Sequence, residues 1–304
     1  MPTPIPLATD FPLHGVYSAL VTPFDGEGVV DEDRLASFVE YLLERGVHGL
    51  VPLGSTGEYY ALDPQERERV LRVVLETVNG RVPVVPGTNA GSTADVVRFS
   101  RQAQDLGCQG VMLAAPYYSL PTPDELYEHF RAVNQALEIP IVLYNYPGRT
   151  GVDMSPAFIE RLTELPRIAY VKESTGEMPR MTELIRRCGE RLGVFCGCDT
   201  LAFESFVVGA IGWVGGVVNV LPAAHVQLYN TAVEQRDYPA ARECFYSMLP
   251  LLELMEGGGK YTQFVKSACR LMGHDVGAPR PPLFVPNESE LNGLRGILKA
   301  WQPR

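Results

Sequence analysis

The sequence predicts an α/β protein, a (β/α)8 or TIM barrel with a C-terminal helical extension, on three observations. Eight short apolar runs recur along the first two thirds of the chain, at roughly the 20–30-residue interval of one strand–helix unit. The runs are continuously apolar rather than alternating, which suits strands buried on both faces of a parallel sheet. Between them lie amphipathic stretches that carry helix start signals. A doubly wound sheet uses the same units, but eight regular repeats without a topological break favour closure. No GxGxxG follows the first run either.

The apolar runs cover 15–24, 48–55, 82–89, 110–118, 139–147, 168–175, 192–199 and 212–219. Each is rich in β-branched or aromatic residues and ends in Gly, Pro or a polar residue, as strands do. Asp63-Pro64-Gln65-Glu66 supplies an N-cap and a proline for the first turn of a helix. Val70, Val73, Val74 and Leu75 then recur at helical spacing. Ser155-Pro156 and Pro123-Asp124-Glu125 repeat that device. Gly46, Gly80, Gly107 and Gly193 are expected to close helices just ahead of the next strand. The barrel should occupy residues 1–235 and carry the active site, with 236–304 as the extension. The extension reads as two or three helices whose Leu, Met and Phe residues must pack on the barrel or on a partner subunit. Gly257-Gly258-Gly259-Lys260 lacks the P-loop pattern and a preceding strand, so it reads as a helix break.

Composition narrows the function. The 304 residues are 46% hydrophobic and 20% charged, ordinary for a globular protein. A net charge of −10 and a pI near 5.1 argue against nucleic acid or an anionic membrane as partner. The Pro-rich first fifteen residues read as an arm, since they lack the basic and apolar regions of a signal peptide. No apolar run is long enough to span a bilayer. Six cysteines are sparse for this length and point to a reducing cytoplasm. Cys196-x-Cys198 is a lone pair without a second half, and no metal site is expected.

Barrel enzymes place catalysis at the C-terminal ends of their strands. The chain has 26 basic residues, of which only Lys172, Lys260, Lys266 and Lys299 are lysines. The last three fall in the C-terminal helices, where solvated faces would explain them. Lys172 alone falls inside a strand pattern, Ile-Ala-Tyr-Val-Lys-Glu-Ser. A buried ammonium costs several kcal/mol unless it is paired or held neutral. A neutral amine is a nucleophile toward carbonyl carbon, whereas an ion pair with Glu173 is the structural alternative. After the second run, Gly54-Ser55-Thr56-Gly57-Glu58 offers small hydroxyls and open backbone amides, a cradle for a small anion or merely a tight turn. After the fifth, Tyr144 can relay a proton and Arg149 can fork onto a carboxylate, although core packing and a solvated surface would also explain them. Pro116-Tyr117-Tyr118 ends the fourth run in the same way.

Together these stretches resemble the pyruvate-dependent class I aldolase family that includes dihydrodipicolinate synthase and N-acetylneuraminate lyase. The likeness spans about residues 14–285. It rests on TPF at 22–24, GSTGE at 54–58, PYY at 116–118, YNYPGRTG at 144–151 and KEST at 172–175, an ordered set far more specific than any one member. It implies a carbon–carbon or carbon–oxygen lyase that forms a lysine Schiff base with a keto acid, needs no cofactor or metal, and assembles as a homotetramer, a dimer of dimers. It also implies roles. Lys172 forms the imine, Tyr144 relays protons, and Ser55 and Thr56 hold the pyruvate carboxylate, with Ser55 also in the relay. Tyr118 enters the neighbouring subunit's site, Arg149 receives the second substrate's carboxylate, and Gly197 and Val214 line the pyruvate pocket.

The departures bear on substrate. Ser55 is typical of the lyase branch where synthases usually have Thr, whereas Arg149 belongs to the synthase pattern. The leading expectation is a dihydrodipicolinate synthase-type enzyme of lysine biosynthesis that joins pyruvate to an aldehyde, aspartate semialdehyde. The alternatives are a catabolic aldolase, dehydratase or lyase acting on a 2-keto-3-deoxy sugar acid or sialic acid, and, remotely, a barrel that only binds ligands. Bulky Tyr59 and Tyr60, with Gly91, stand where synthases of the family bind lysine as inhibitor. Millimolar lysine is therefore expected to leave turnover unchanged, and potent inhibition in a steady-state assay would refute this.

Overall fold

The computed structural model describes residues 12–301, so most of the expected N-terminal arm lies outside the described residues. The elements run in the order β1 (Gly15–Ala19), α1 (Glu32–Glu44), β2 (Gly49–Val51), α2 (Pro64–Val78), α3 (Thr93–Asp105), β3 (Val111–Ala114) and α4 (Pro123–Ala136). Next come β4 (Ile141–Asn145), α5 (Pro147–Thr150), α6 (Pro156–Leu162), β5 (Ile168–Glu173), α7 (Met178–Cys188), β6 (Gly193–Cys196), α8 (Ala202–Val208) and β7 (Gly212–Gly215). Helices α9 (Pro222–Tyr229), α10 (Tyr238–Gly257), α11 (Tyr261–Leu271) and α12 (Glu288–Ala300) complete the chain. This is the strand–helix alternation of the predicted TIM-barrel fold class, followed by helices.

The chain divides into two compact units. One comprises Pro83–Val214 with residues 12–15, and in it β3 to β7 pair in chain order, all parallel. The other comprises 16–82 and 215–301 and contains the parallel β1–β2 pair, α1, α2 and α9 to α12. Every residue of β4 is buried, as are all but one of β5, which is why these runs are apolar without alternation.

Seven of the eight expected strands form. The third run, 82–89, forms no regular strand: Val84 and Gly87 lie in isolated bridges, Gly87 with Met112, and the run is buried from Val84 to Asn89. Its chain follows β3 through Met112 N–H to the Pro86 carbonyl (2.9 Å) and Thr88 N–H to the Met112 carbonyl (3.0 Å). Pro83 and Pro86 have no N–H to give, so a regular ladder cannot propagate through them. Helix starts fall where expected: Asp63–Glu66 and Thr122–Glu125 are complete capping boxes, and Ser155 caps α6. Gly46, Gly80 and Gly107 follow helices with positive φ. Gly193 instead opens β6, where a Cβ would stand 2.5 Å from Ile211 Cδ1 and 2.7 Å from the Tyr170 ring. The helix before it ends at Gly189.

The extension is three helices, broken at 258–260 as expected. One of its lysines is not on a solvated face: Lys266 is 1% exposed and ion-paired with Glu58. Helical spacing assigns a lone Lys on an amphipathic helix to water, and the partner that draws it inward lies 208 residues away. No helix among the described residues is long and apolar enough to cross a membrane.

Two buried histidines make stability depend on pH. Burial pushes His129 and His225 down from 6.5 to about 4. The unfolded chain therefore takes up protons between pH 6.5 and about 4 that the folded chain refuses, so stability falls as pH falls through that window. Each histidine accounts for roughly 3 kcal/mol once the window is crossed. We expect the denaturant midpoint to drop from pH 7 to pH 5, with a shallower slope in His129→Gln. A flat midpoint would contradict this.

Candidate active site

In the 83–214 unit, Tyr144 on β4 and Lys172 on β5 are direct partners in the parallel register, followed by Asn145 opposite Glu173. Successive strand residues face opposite sides, and the contacts follow that rule. Lys172 is 6% exposed, with its Nζ 4.4 Å from the centre of the Tyr144 ring. Among the described residues no carboxylate or hydrogen-bond acceptor engages that amine. The ion pair with Glu173 does not form, because the Glu173 carboxylate accepts from Asn145 Nδ2 (3.0 Å) and Thr175 N–H (2.7 Å). Burial pushes that carboxyl above the usual range.

Asn145 continues behind the strands. Its Nδ2 donates to the Met154 carbonyl (3.2 Å) and its Oδ1 accepts from Met154 N–H (3.1 Å). Arg180 forks onto Asp153 at 2.9 Å with both nitrogens. These bonds pin the far end of the 146–154 segment, which includes α5 and Arg149.

Gly197, just after β6, donates its N–H to the Glu173 carbonyl (2.8 Å). A Cβ there would fall 2.0 Å from Ser174 Oγ and 2.7 and 2.8 Å from Lys172 Cγ and Cε. The bare Cα is thus what leaves the lysine stem its path. The same distances set the Ser174 hydroxyl beside that stem, buried and without a hydrogen-bond partner among the described residues. Sequence reasoning gave Ser174 no role, since a polar residue ending a strand is ordinary. Its lack of a partner is visible only in three dimensions.

Arg149 on α5 is exposed, with its guanidinium 5.6 Å from the centre of the Tyr146 ring. Val214 is buried on β7. Tyr118 is 96% exposed and left-handed (φ 71°), two residues before a second exposed left-handed residue, Leu120. Lys172, Tyr144 and Gly197 are brought together, while Arg149, Tyr118 and Val214 make no hydrogen bond or ion pair with Lys172.

In the other unit, Ser55 and Thr56 sit in the turn after β2. Its flanks, Leu53 (φ 59°) and Glu58 (φ 56°), are both left-handed. The turn closes through Glu58 N–H to the Ser55 carbonyl (3.2 Å), and Thr22 Oγ1 donates to the Gly57 carbonyl (2.7 Å). Gly57 admits no Cβ, which would lie 2.8 Å from the Leu20 carbonyl oxygen. Among the described residues the amides of Ser55, Thr56 and Gly57 and both hydroxyls donate to nothing. Successive unpaired amides beside small hydroxyls suit an anionic oxygen pair such as a carboxylate.

Residues 12–301 match the model of the dihydrodipicolinate synthetase family. The chain is 39% identical to the 4-hydroxy-tetrahydrodipicolinate synthase of Pelobacter propionicus, over 94% of this chain and 98% of that one. Among solved structures it is similar to dihydrodipicolinate synthase from Aquifex aeolicus (TM-score 0.91, 34% identity, 94% of this chain and 97% of that one). It is similar also to the chloride-inhibited dihydrodipicolinate synthase of Acinetobacter baumannii complexed with pyruvate (TM-score 0.89, 32% identity, 94% and 98% covered).

Proposed function

This chain belongs to the dihydrodipicolinate synthetase family, and from that premise we propose that it is a lyase of the 4-hydroxy-tetrahydrodipicolinate synthase type, joining pyruvate to aspartate semialdehyde in lysine biosynthesis. The observation that carries the reading is Lys172, a buried amine on β5 with no carboxylate partner among the described residues, over the ring of Tyr144. An unpaired amine in such a place is suited to attack C2 of a keto acid. Loss of water gives an iminium, an electron sink: the methyl group gives up a proton to a base, and its C–H electron pair flows into the C=N bond to form the enamine. The resulting enamine forms the new carbon–carbon bond at the aldehyde carbon, whose oxygen takes up a proton.

Tyr144, whose ring centre lies 4.4 Å from the amine, carries an O–H that can both donate and accept in those transfers. Ser55 and Thr56 are assigned the pyruvate carboxylate, Arg149 the carboxylate of the semialdehyde, and Gly197 and Val214 the walls of the pyruvate pocket. No cofactor enters, because the imine itself supplies the electron sink. Tyr118 is assigned to a neighbouring copy's site within a homotetramer. A large exposed ring on a left-handed residue is hard to account for in one copy alone. The six free thiols suit a reducing cytoplasm.

Borohydride reduction in the presence of pyruvate tests the chemistry: a pyruvate-derived adduct on Lys172 is expected, and its absence would sink the Schiff-base reading. Condensation with aspartate semialdehyde, assayed beside cleavage of keto-deoxy sugar acids and sialic acid, tests the substrate. Turnover of a sugar acid without the semialdehyde reaction would transfer the assignment to the catabolic alternative.

A further inference from the structure

The turn that carries Ser55 and Thr56 ends on a residue that its own sequence does not explain. Glu58 is left-handed at φ 56°, a conformation that glycine adopts more readily, and its side chain is wholly buried. Its carboxylate is met from the C-terminal extension. Lys266 on α11 donates to Oε1 (2.8 Å) and Arg280 N–H donates to Oε2 (2.8 Å). Lys266 also donates to the Ala278 carbonyl (3.0 Å) and sits 4.2 Å from the centre of the Phe24 ring, so its ammonium is held on several sides. Arg280 in turn reaches the Ala61 carbonyl (2.7 Å) and Glu66, which clasps the chain just beyond the turn. One buried carboxylate therefore ties the 54–58 turn to the extension.

We propose that Lys266 is a positioning residue for the carboxylate-binding turn: by neutralising Glu58 it holds the left-handed end of 54–58 and so aims the amides and hydroxyls of Ser55 and Thr56. The inference rests on the proposed role of those two residues in holding pyruvate. A structural pair alone would support the fold equally at every site. A positioning pair selects for substrates that carry the carboxylate.

The test compares the parent protein with Lys266→Met and with the charge-balanced double variant Glu58→Gln/Lys266→Met, which avoids stranding a buried carboxylate if the single variant fails to fold. Hydrogen exchange is measured over the 54–61 backbone. Borohydride trapping is titrated with pyruvate and with hydroxyacetone, a neutral ketone of similar size. Expected are faster exchange in that turn and about a tenfold rise in half-saturating pyruvate, the loss of one well-placed hydrogen bond to a charged group. Maximal adduct yield and the hydroxyacetone titration should stay unchanged. Unchanged exchange in the turn, or equal weakening of both carbonyl compounds, would overturn the proposal. Absence of any adduct in the parent would instead count against Lys172 as the imine former, and exchange of the turn alone would then decide the role of Lys266.

Discussion

Lys172→Met is expected to lower turnover by at least about four orders of magnitude while leaving the protein as stable as the parent or more so. The catalytic half follows from covalent chemistry: without the amine there is no imine, and the methyl protons of pyruvate lose their electron sink. The stability half follows from burial. Lys172 is almost fully buried, and its Nζ finds no carboxylate and no hydrogen bond among the described residues, only the face of Tyr144. Methionine keeps the length and flexibility of the stem and removes a polar head that burial disfavours. Steady-state turnover and thermal unfolding check the two halves together. Residual activity above one per cent, or a clear fall in melting temperature, would contradict the reading of Lys172 as a reactive rather than structural group.

Lys266 makes the contrast. It is buried as deeply, but its head is satisfied by Glu58 and a carbonyl. Removing it breaks a buried pair, which costs roughly 3–5 kcal/mol because the partner is left charged. Two buried lysines in one chain thus differ in what their ammonium groups touch, and that difference separates a nucleophile from a clamp.

Composition made Lys172 conspicuous, as the lone lysine in an apolar run, and local chemistry made the helix starts legible at Asp63, at Pro123-Asp124-Glu125 and at Ser155. What stayed hidden depended on partners distant in sequence. Glu58 and Lys266 carry no mutual signal, and an amphipathic pattern on α11 gives no reason to turn its lysine inward. The third run looked like its neighbours because apolar content says little about ladder formation. Its prolines carried the contrary information: Pro86, whose carbonyl accepts from Met112, has no N–H to give on that edge facing β3, and Pro83 lacks one on the opposite edge. The stretch 172–175 was legible as a motif, yet the fact that Glu173 bonds Asn145 and not Lys172 is decided by which face each strand residue presents.

Gly197→Ala is the second large expected effect, and it comes from a single methyl group. An added Cβ would stand 2.0 Å from Ser174 Oγ and under 3 Å from two carbons of the Lys172 stem. None of these is a loose end of a surface chain: Ser174 and Lys172 are both buried, and the Gly197 amide is fixed to the Glu173 carbonyl. Overpacking of this kind costs about 1–3 kcal/mol in stability. The catalytic loss should be larger, about a hundredfold or more, because displacing a reacting amine by an ångström spoils its approach to the carbonyl. Ser174→Ala in the same chain separates the two effects. It removes the shortest clash, so the double variant should recover most of the thermal stability. The contacts with Cγ and Cε of Lys172 persist, so activity and borohydride trapping should stay low. Recovery of both together would mean that Gly197 serves Ser174 and not the lysine.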